Sequence, residues 1–146
     1  MISGQDFLKL AETWITGSTE AEWRSAVSRA YYAAFHVARK LLRDLGFQVP
    51  RGDRAHAYLW LRLSNCGDSG VRRAGSDLNS LRGDRNRADY DVEQTLAHAD
   101  ALLQVGAAAK IIQILDSVNA EPLRTTVRDA MRAYERDVLH EVTWRP

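Results

Sequence analysis

At 146 residues, with 45% apolar and 27% charged side chains, the chain has enough sequence for one real core and too little for two domains. The lone Cys66 excludes an internal disulfide, no apolar run approaches the roughly 20 residues of a bilayer span, and no basic leader precedes an apolar stretch, so a cytoplasmic protein without a membrane role is expected. The net charge of +1 points to no polyanion by itself, yet the stretch from Arg24 to Arg87 is strongly basic and almost entirely arginine, which forks onto phosphates better than lysine does.

Alanine, leucine and arginine dominate, β-branched residues are sparse, and proline occurs only at Pro50, Pro122 and Pro146. An all-α fold follows: an antiparallel up-and-down bundle of about five to six helices, residues 1–146 making a single domain, with 121–146 as an accessory C-terminal helix. The first helix is predicted from Gly4 to Ile15 and ends at Gly17. Thr19 and Glu22 have capping-box spacing and start a second helix, Glu20 to Leu45. Its apolar side carries Trp23, Val27, Tyr31, Phe35, Leu42 and Leu45. The opposite side collects Ser25, Arg29, Tyr32, His36, Lys40 and Arg43, a basic stripe that could hold a phosphate chain or simply be a hydrated face.

A short third helix is predicted from Arg54 to Ser64 and a fourth from Val71 to Asn86, made irregular by Gly75 and Gly83. A fifth runs from Val92 to Val118. A sixth opens at Pro122, carries an apolar stripe that ends near Trp144, and packs on the bundle or on a second copy. Cys66 lies in a turn without a base beside it and reads as a passive thiol.

Two strings carry more than periodicity. Ser28 to His36 reads SRAYYAAFH, and Leu81 to Asp91 reads LRGDRNRADYD; between them stand the helix end at Leu45-Gly46 and a histidine at His56. In this order and at these separations they resemble the HEPN family of small prokaryotic helical proteins, over roughly Glu20 to Val118. The resemblance implies a helical bundle that pairs as a homodimer with its cleft at the dimer axis. Many members are metal-independent ribonucleases, or toxins paired with a small nucleotidyltransferase antitoxin, and no cofactor is implied.

In active members an arginine, usually followed by a polar residue, holds phosphate, and a histidine four to six positions later moves the proton of the ribose 2′-hydroxyl. Carried over, the arginine is Arg85 and its polar neighbour Asn86. The histidine does not carry over, because the candidate positions hold Ala88, Asp89, Tyr90 and Asp91. Asp89 is a poor replacement, since a carboxylate repels phosphate and is a weak base; its other reading is an i, i+4 ion pair with Arg85. Tyr90 reads either as a buried phenol or, through the resemblance, as a point where a nucleotidyltransferase attaches nucleotides. His36, on the basic stripe, is a candidate imidazole if the fold brings it to Arg85. His56, His98 and His140 stand alone, and no metal site is expected.

Three functions are therefore open: an RNA-binding or nucleotidyltransferase-partner module of a toxin–antitoxin or defence system, with Arg29, Tyr32, His36 and Lys40 on the RNA; an endoribonuclease using Arg85 with His36 or Asp89; and a structural dimer without nucleic-acid contact.

Overall fold

The computed structural model describes residues 1–146. It holds six α-helices, α1 (Gly4–Trp14), α2 (Glu20–Asp44), α3 (Arg54–Leu63), α4 (Ser69–Tyr90), α5 (His98–Ser117) and α6 (Leu123–Tyr134), and no strand. α2 is the centre of the antiparallel bundle, packed by α1, α4 and α5, while α3 lies on α4. One continuous core of 35 buried apolar residues runs through the molecule, with Tyr31, Leu42, Leu59, Leu63, Ile111 and Leu115 almost fully enclosed. Each such side chain contributes about 1.5–3 kcal/mol by leaving water.

The predicted capping box forms: the Thr19 hydroxyl accepts from the Glu22 amide at 3.3 Å, and the Glu22 carboxylate accepts from the Thr19 amide at 3.3 Å. Two glycines set helix spacing. A Cβ on Gly4 would lie 2.6 Å from the Ala33 carbonyl oxygen of α2, and one on Gly75 would lie 2.7 Å from the Ser64 amide nitrogen at the end of α3.

Three sequence expectations are corrected. The fourth helix is neither irregular nor ended at Asn86. Asp68 caps its start by accepting from the Val71 amide at 3.0 Å, and the helix continues without a break to Tyr90. At the far end the Arg24 guanidinium donates to the Arg87 and Ala88 carbonyls at 3.3 and 3.0 Å.

The fifth helix starts at His98 rather than Val92, because the preceding chain is pinned to α2 instead. Arg24 also donates to the Gln94 carbonyl, and the Leu96 amide donates to Glu20 at 3.1 Å.

The sixth helix does not run on to Trp144. After Tyr134 a π-turn covers Glu135–Leu139, His140 takes a left-handed φ of 54°, and the chain returns as an extended strap. Glu135, fully buried, directs this reversal. Its carboxylate accepts from Arg62 of α3 at 2.9 Å and from the Thr143 and Trp144 amides at 2.9 and 3.1 Å. The strap then pairs with the loop after α2, the Arg145 amide donating to the Gly46 carbonyl at 2.9 Å. The C-terminal segment thus packs on its own bundle.

Candidate functional site

α2 and α4 lie side by side, and the two motif strings of the sequence meet between them. From α2, Arg29 sets its guanidinium 5.2 Å from the centre of the Tyr32 ring; from α4, Arg85 sets its own at 5.2 Å from the same ring and 5.6 Å from Tyr31. Two cations on one phenol make a cation–π arrangement. Arg85 is nevertheless nine-tenths buried inside its own subunit, not open to an exposed cleft as its motif position implies. Its Nη1 lies 3.6 Å from Asp89, and its Nε is buried with no hydrogen-bond partner. Asp89 in turn accepts from the Ser28 hydroxyl at 3.1 Å, so the ion pair expected along α4 also ties α4 to α2.

The other predicted site residues divide. Asn86 and Tyr90 point outward, Tyr90 with 71% of its surface exposed, so it is not a buried bundle tyrosine. Arg29, Tyr32 and His36 are half-buried rather than on an outer face, because α1 covers this side of α2. Phe7 lies 5.2 Å from the His36 ring and 5.5 Å from the Arg29 guanidinium. Lys40 is exposed and bonded to Asp44 at 2.6 Å. Burial, with Arg39 and Arg29 nearby, holds His36 below the ordinary imidazole value.

The structure adds a histidine that the sequence reading set aside. His56 of α3 is buried, and its Nδ1 lies 2.5 Å from the Tyr31 hydroxyl, with the two rings stacked at 5.6 Å. Burial first, then Arg82 and Arg85, push its pKa down, so it is a neutral imidazole beside two guanidiniums. The signal was present in outline: His56, Leu59 and Leu63 fall on one helical stripe, which turns His56 into the core between α2 and α4. Arg82, whose Nε is also buried without a partner, gave no such signal.

His98 donates from Nε2 to the Ile15 carbonyl at 2.7 Å and sets its ring 4.8 Å from that of Trp23; it joins α5 to the end of α1. Cys66 is fully buried, and burial raises its thiol above the ordinary value, which suits a passive role. No group of three or more His, Cys, Asp or Glu side chains is arranged to hold a metal ion, and no helix is long and apolar enough to cross a membrane.

A family model described as the HEPN domain matches residues 3–118. The match ends where the resemblance read from the motifs ends, starts one helix earlier by including α1, and leaves α6 and the strap outside. No curated protein and no solved structure matches the chain. The match supports a function of the general HEPN kind, RNA-binding or ribonuclease-like. On this match, and on the two motifs that meet between α2 and α4, the chain belongs to the HEPN-domain family.

Proposed function

We propose that this protein is an RNA-binding HEPN homodimer that works with a small nucleotidyltransferase partner in a toxin–antitoxin or defence setting. The observation that carries the reading is the shared ring of Tyr32. Arg29 and Arg85, from two helices, both rest on it, and Asp89 is the only carboxylate within 4 Å of either guanidinium. Single-stranded RNA offers both partners such a centre needs: phosphates for the arginine forks, and bases that stack on aromatic rings and guanidinium planes. Asn86, next to Arg85 in sequence, is exposed and supplies a polar approach.

The homodimer is supported by the surface beyond Asn86. Tyr90, Val92, Leu102 and Leu103 are all exposed there, Leu103 at 73%. Exposed apolar side chains gathered at one end of a bundle fit a subunit contact. In the single subunit the Tyr90 phenol is exposed to a modifying nucleotidyltransferase, so modification there and pairing of two copies exclude one another.

A second reading, metal-independent endoribonuclease, is favoured by one observation only. His56, held by Tyr31 beside Arg82 and Arg85, is an imidazole with the neutral state a general base needs.

Incubation of the purified protein with single-stranded RNA and a chelator tests the choice. Retardation without cleavage supports the binder, cleavage that disappears in Arg85→Ala supports the enzyme, and neither outcome leaves a structural adaptor. Light scattering tests the dimer, which requires twice the 16.4 kDa chain mass at micromolar concentration; a strict monomer contradicts it.

A further inference from the structure

The basic stripe of α2 does not end at the Tyr32 centre. Beyond Phe7 it opens into a groove of about 650 Å³ between α1, the C-terminal half of α2 and the end of α5. That volume is typical of small-molecule sites, which span roughly 300–1,000 Å³. The groove has two unlike walls. One is aromatic and apolar, where Phe7 and His36 lie 5.2 Å apart with Val37 and Leu41 behind them. The other is cationic, with Arg39 and Lys40 side by side on α2 and Arg43 about one turn further on.

The charges on that second wall are not balanced within the chain. Asp44, the nearest acid in sequence, is taken by Lys40 at 2.6 Å. Asp116, across the groove on α5, bonds the Gln5 amide at 3.5 Å. Arg39 and Arg43 have no carboxylate within 4 Å. Arg39 is moreover partly desolvated and repelled by Arg43 and Arg51, which lowers its pKa. Several guanidiniums held together against their own repulsion form a site for a multiply charged oxyanion, which relieves that repulsion on binding. His36 is held neutral by burial and by Arg39 and Arg29, which suits the ring to stacking rather than to charge pairing.

We propose that this groove binds a ribonucleotide, with the base against Phe7 and His36 and the phosphate on Arg39 and Arg43. The proposal extends the RNA-binding reading along α2 but uses neither Arg85 nor any other residue of α4. The same chemistry is offered by a free nucleotide and by a nucleotide within single-stranded RNA, and the test separates them.

Adenosine 5′-monophosphate, adenosine and an eight-nucleotide oligoadenylate RNA are each titrated into the full-length protein by calorimetry. The wild type is compared with an Arg39→Ala, Arg43→Ala double variant, whose substitutions touch no core residue, and with Arg29→Ala. Loss of charge-assisted hydrogen bonds to phosphate weakens binding roughly tenfold in the double variant. That loss seen with the monophosphate, adenosine itself binding far more weakly, supports a free-nucleotide site. The same loss seen only with the RNA supports a subsite for the RNA strand.

RNA binding that is unchanged in the double variant but lost in Arg29→Ala, with no binding of the monophosphate, overturns the groove and leaves the RNA-binding reading standing. Monophosphate binding that depends on Arg39 and Arg43, with no binding of RNA, supports the groove and overturns the RNA-binding reading. No binding of either overturns both.

Discussion

The carboxylate of Asp89 stands 3.6 Å from the guanidinium of Arg85, one helical turn away on α4, and is itself held by the Ser28 hydroxyl of α2 at 3.1 Å. It lies in the span of α4 where the family pattern would put an imidazole, and it holds the arginine that would otherwise meet a phosphate. A carboxylate there repels RNA and must give way before Arg85 can be used. Asp89→Asn keeps the hydrogen bond to Ser28 and removes the repulsion. The variant binds single-stranded RNA about two- to tenfold more tightly at fixed ionic strength, measured by fluorescence anisotropy. Unchanged or weaker binding contradicts this role for Asp89.

The reversal into the C-terminal strap is built around a buried ion pair. Arg62 and Glu135 are 4% and 0% exposed, with Nη2 of the arginine 2.8 Å from the carboxylate. Removing one partner of such a pair strands the other charge, at a cost of about 3–5 kcal/mol. Glu135→Gln therefore lowers the melting temperature sharply. A double Arg62→Met, Glu135→Leu variant recovers only part of the loss, because the Thr143 and Trp144 amides lose their acceptor. Calorimetry on the single and double variants checks this, and a Glu135→Gln protein as stable as wild type is the contrary result.

Gly75 and Gly83, both in the interior of α4, have opposite meanings. At Gly75 a methyl group would meet the Ser64 amide nitrogen at 2.7 Å and Leu63 Cβ at 2.8 Å, backbone and stem atoms that cannot swing away. Gly75→Ala costs about 1–3 kcal/mol by overpacking. At Gly83 the nearest atom is the far end of the Arg87 side chain at 3.6 Å, so Gly83→Ala gains about 0.5–1 kcal/mol from helix propensity. Denaturant midpoints that move in these opposite directions verify the α3–α4 approach.

Stability falls on mild acidification. Burial, then Arg82 and Arg85, depress the pKa of His56, with Asp53 opposing; burial, then Arg39 and Arg29, depress that of His36. The unfolded chain, with histidines near 6.5, therefore takes up protons before the folded one does. The stability is fully present above about pH 6.5 and is lost as the pH drops below it toward the lower folded values. Asp6, Glu121 and Asp137 are also depressed, but from carboxylate values of 3.8 or 4.5, so their contribution goes at more acid pH. Thermal melts between about pH 7.5 and 5.5 show a falling midpoint, with a smaller fall in His56→Asn; a midpoint that rises with acid contradicts the buried neutral state.

The first two helices were legible almost to the residue, because their ends are set by local chemistry: the Thr19–Glu22 box and the glycines at 17 and 46. The later helix ends are set by partners distant in sequence. Arg24 and Glu20 hold the α4–α5 connection, and Arg62 holds Glu135. Periodicity carries no record of either.

The candidate site follows the same division. The pairing of Arg85 with Asp89 is an i, i+4 relation that the sequence displays. The burial of Arg85, the covering of His36 by Phe7 and the bond from Tyr31 to His56 depend on how α1 and α3 lie against α2 and α4. A basic stripe on a helical wheel says which residues share a face, but not which neighbour covers it.

The central claim is that RNA meets this protein between α2 and α4. Titration of single-stranded RNA into the ¹⁵N-labelled protein, followed by amide chemical shifts, locates the contact directly. Saturable shifts centred on Ser28 through Lys40 and Leu81 through Tyr90 are the predicted result, with Phe7 and Arg43 joining them if the strand continues into the α1–α2 groove. Shifts centred on α6 and the strap, or none at all, would contradict it.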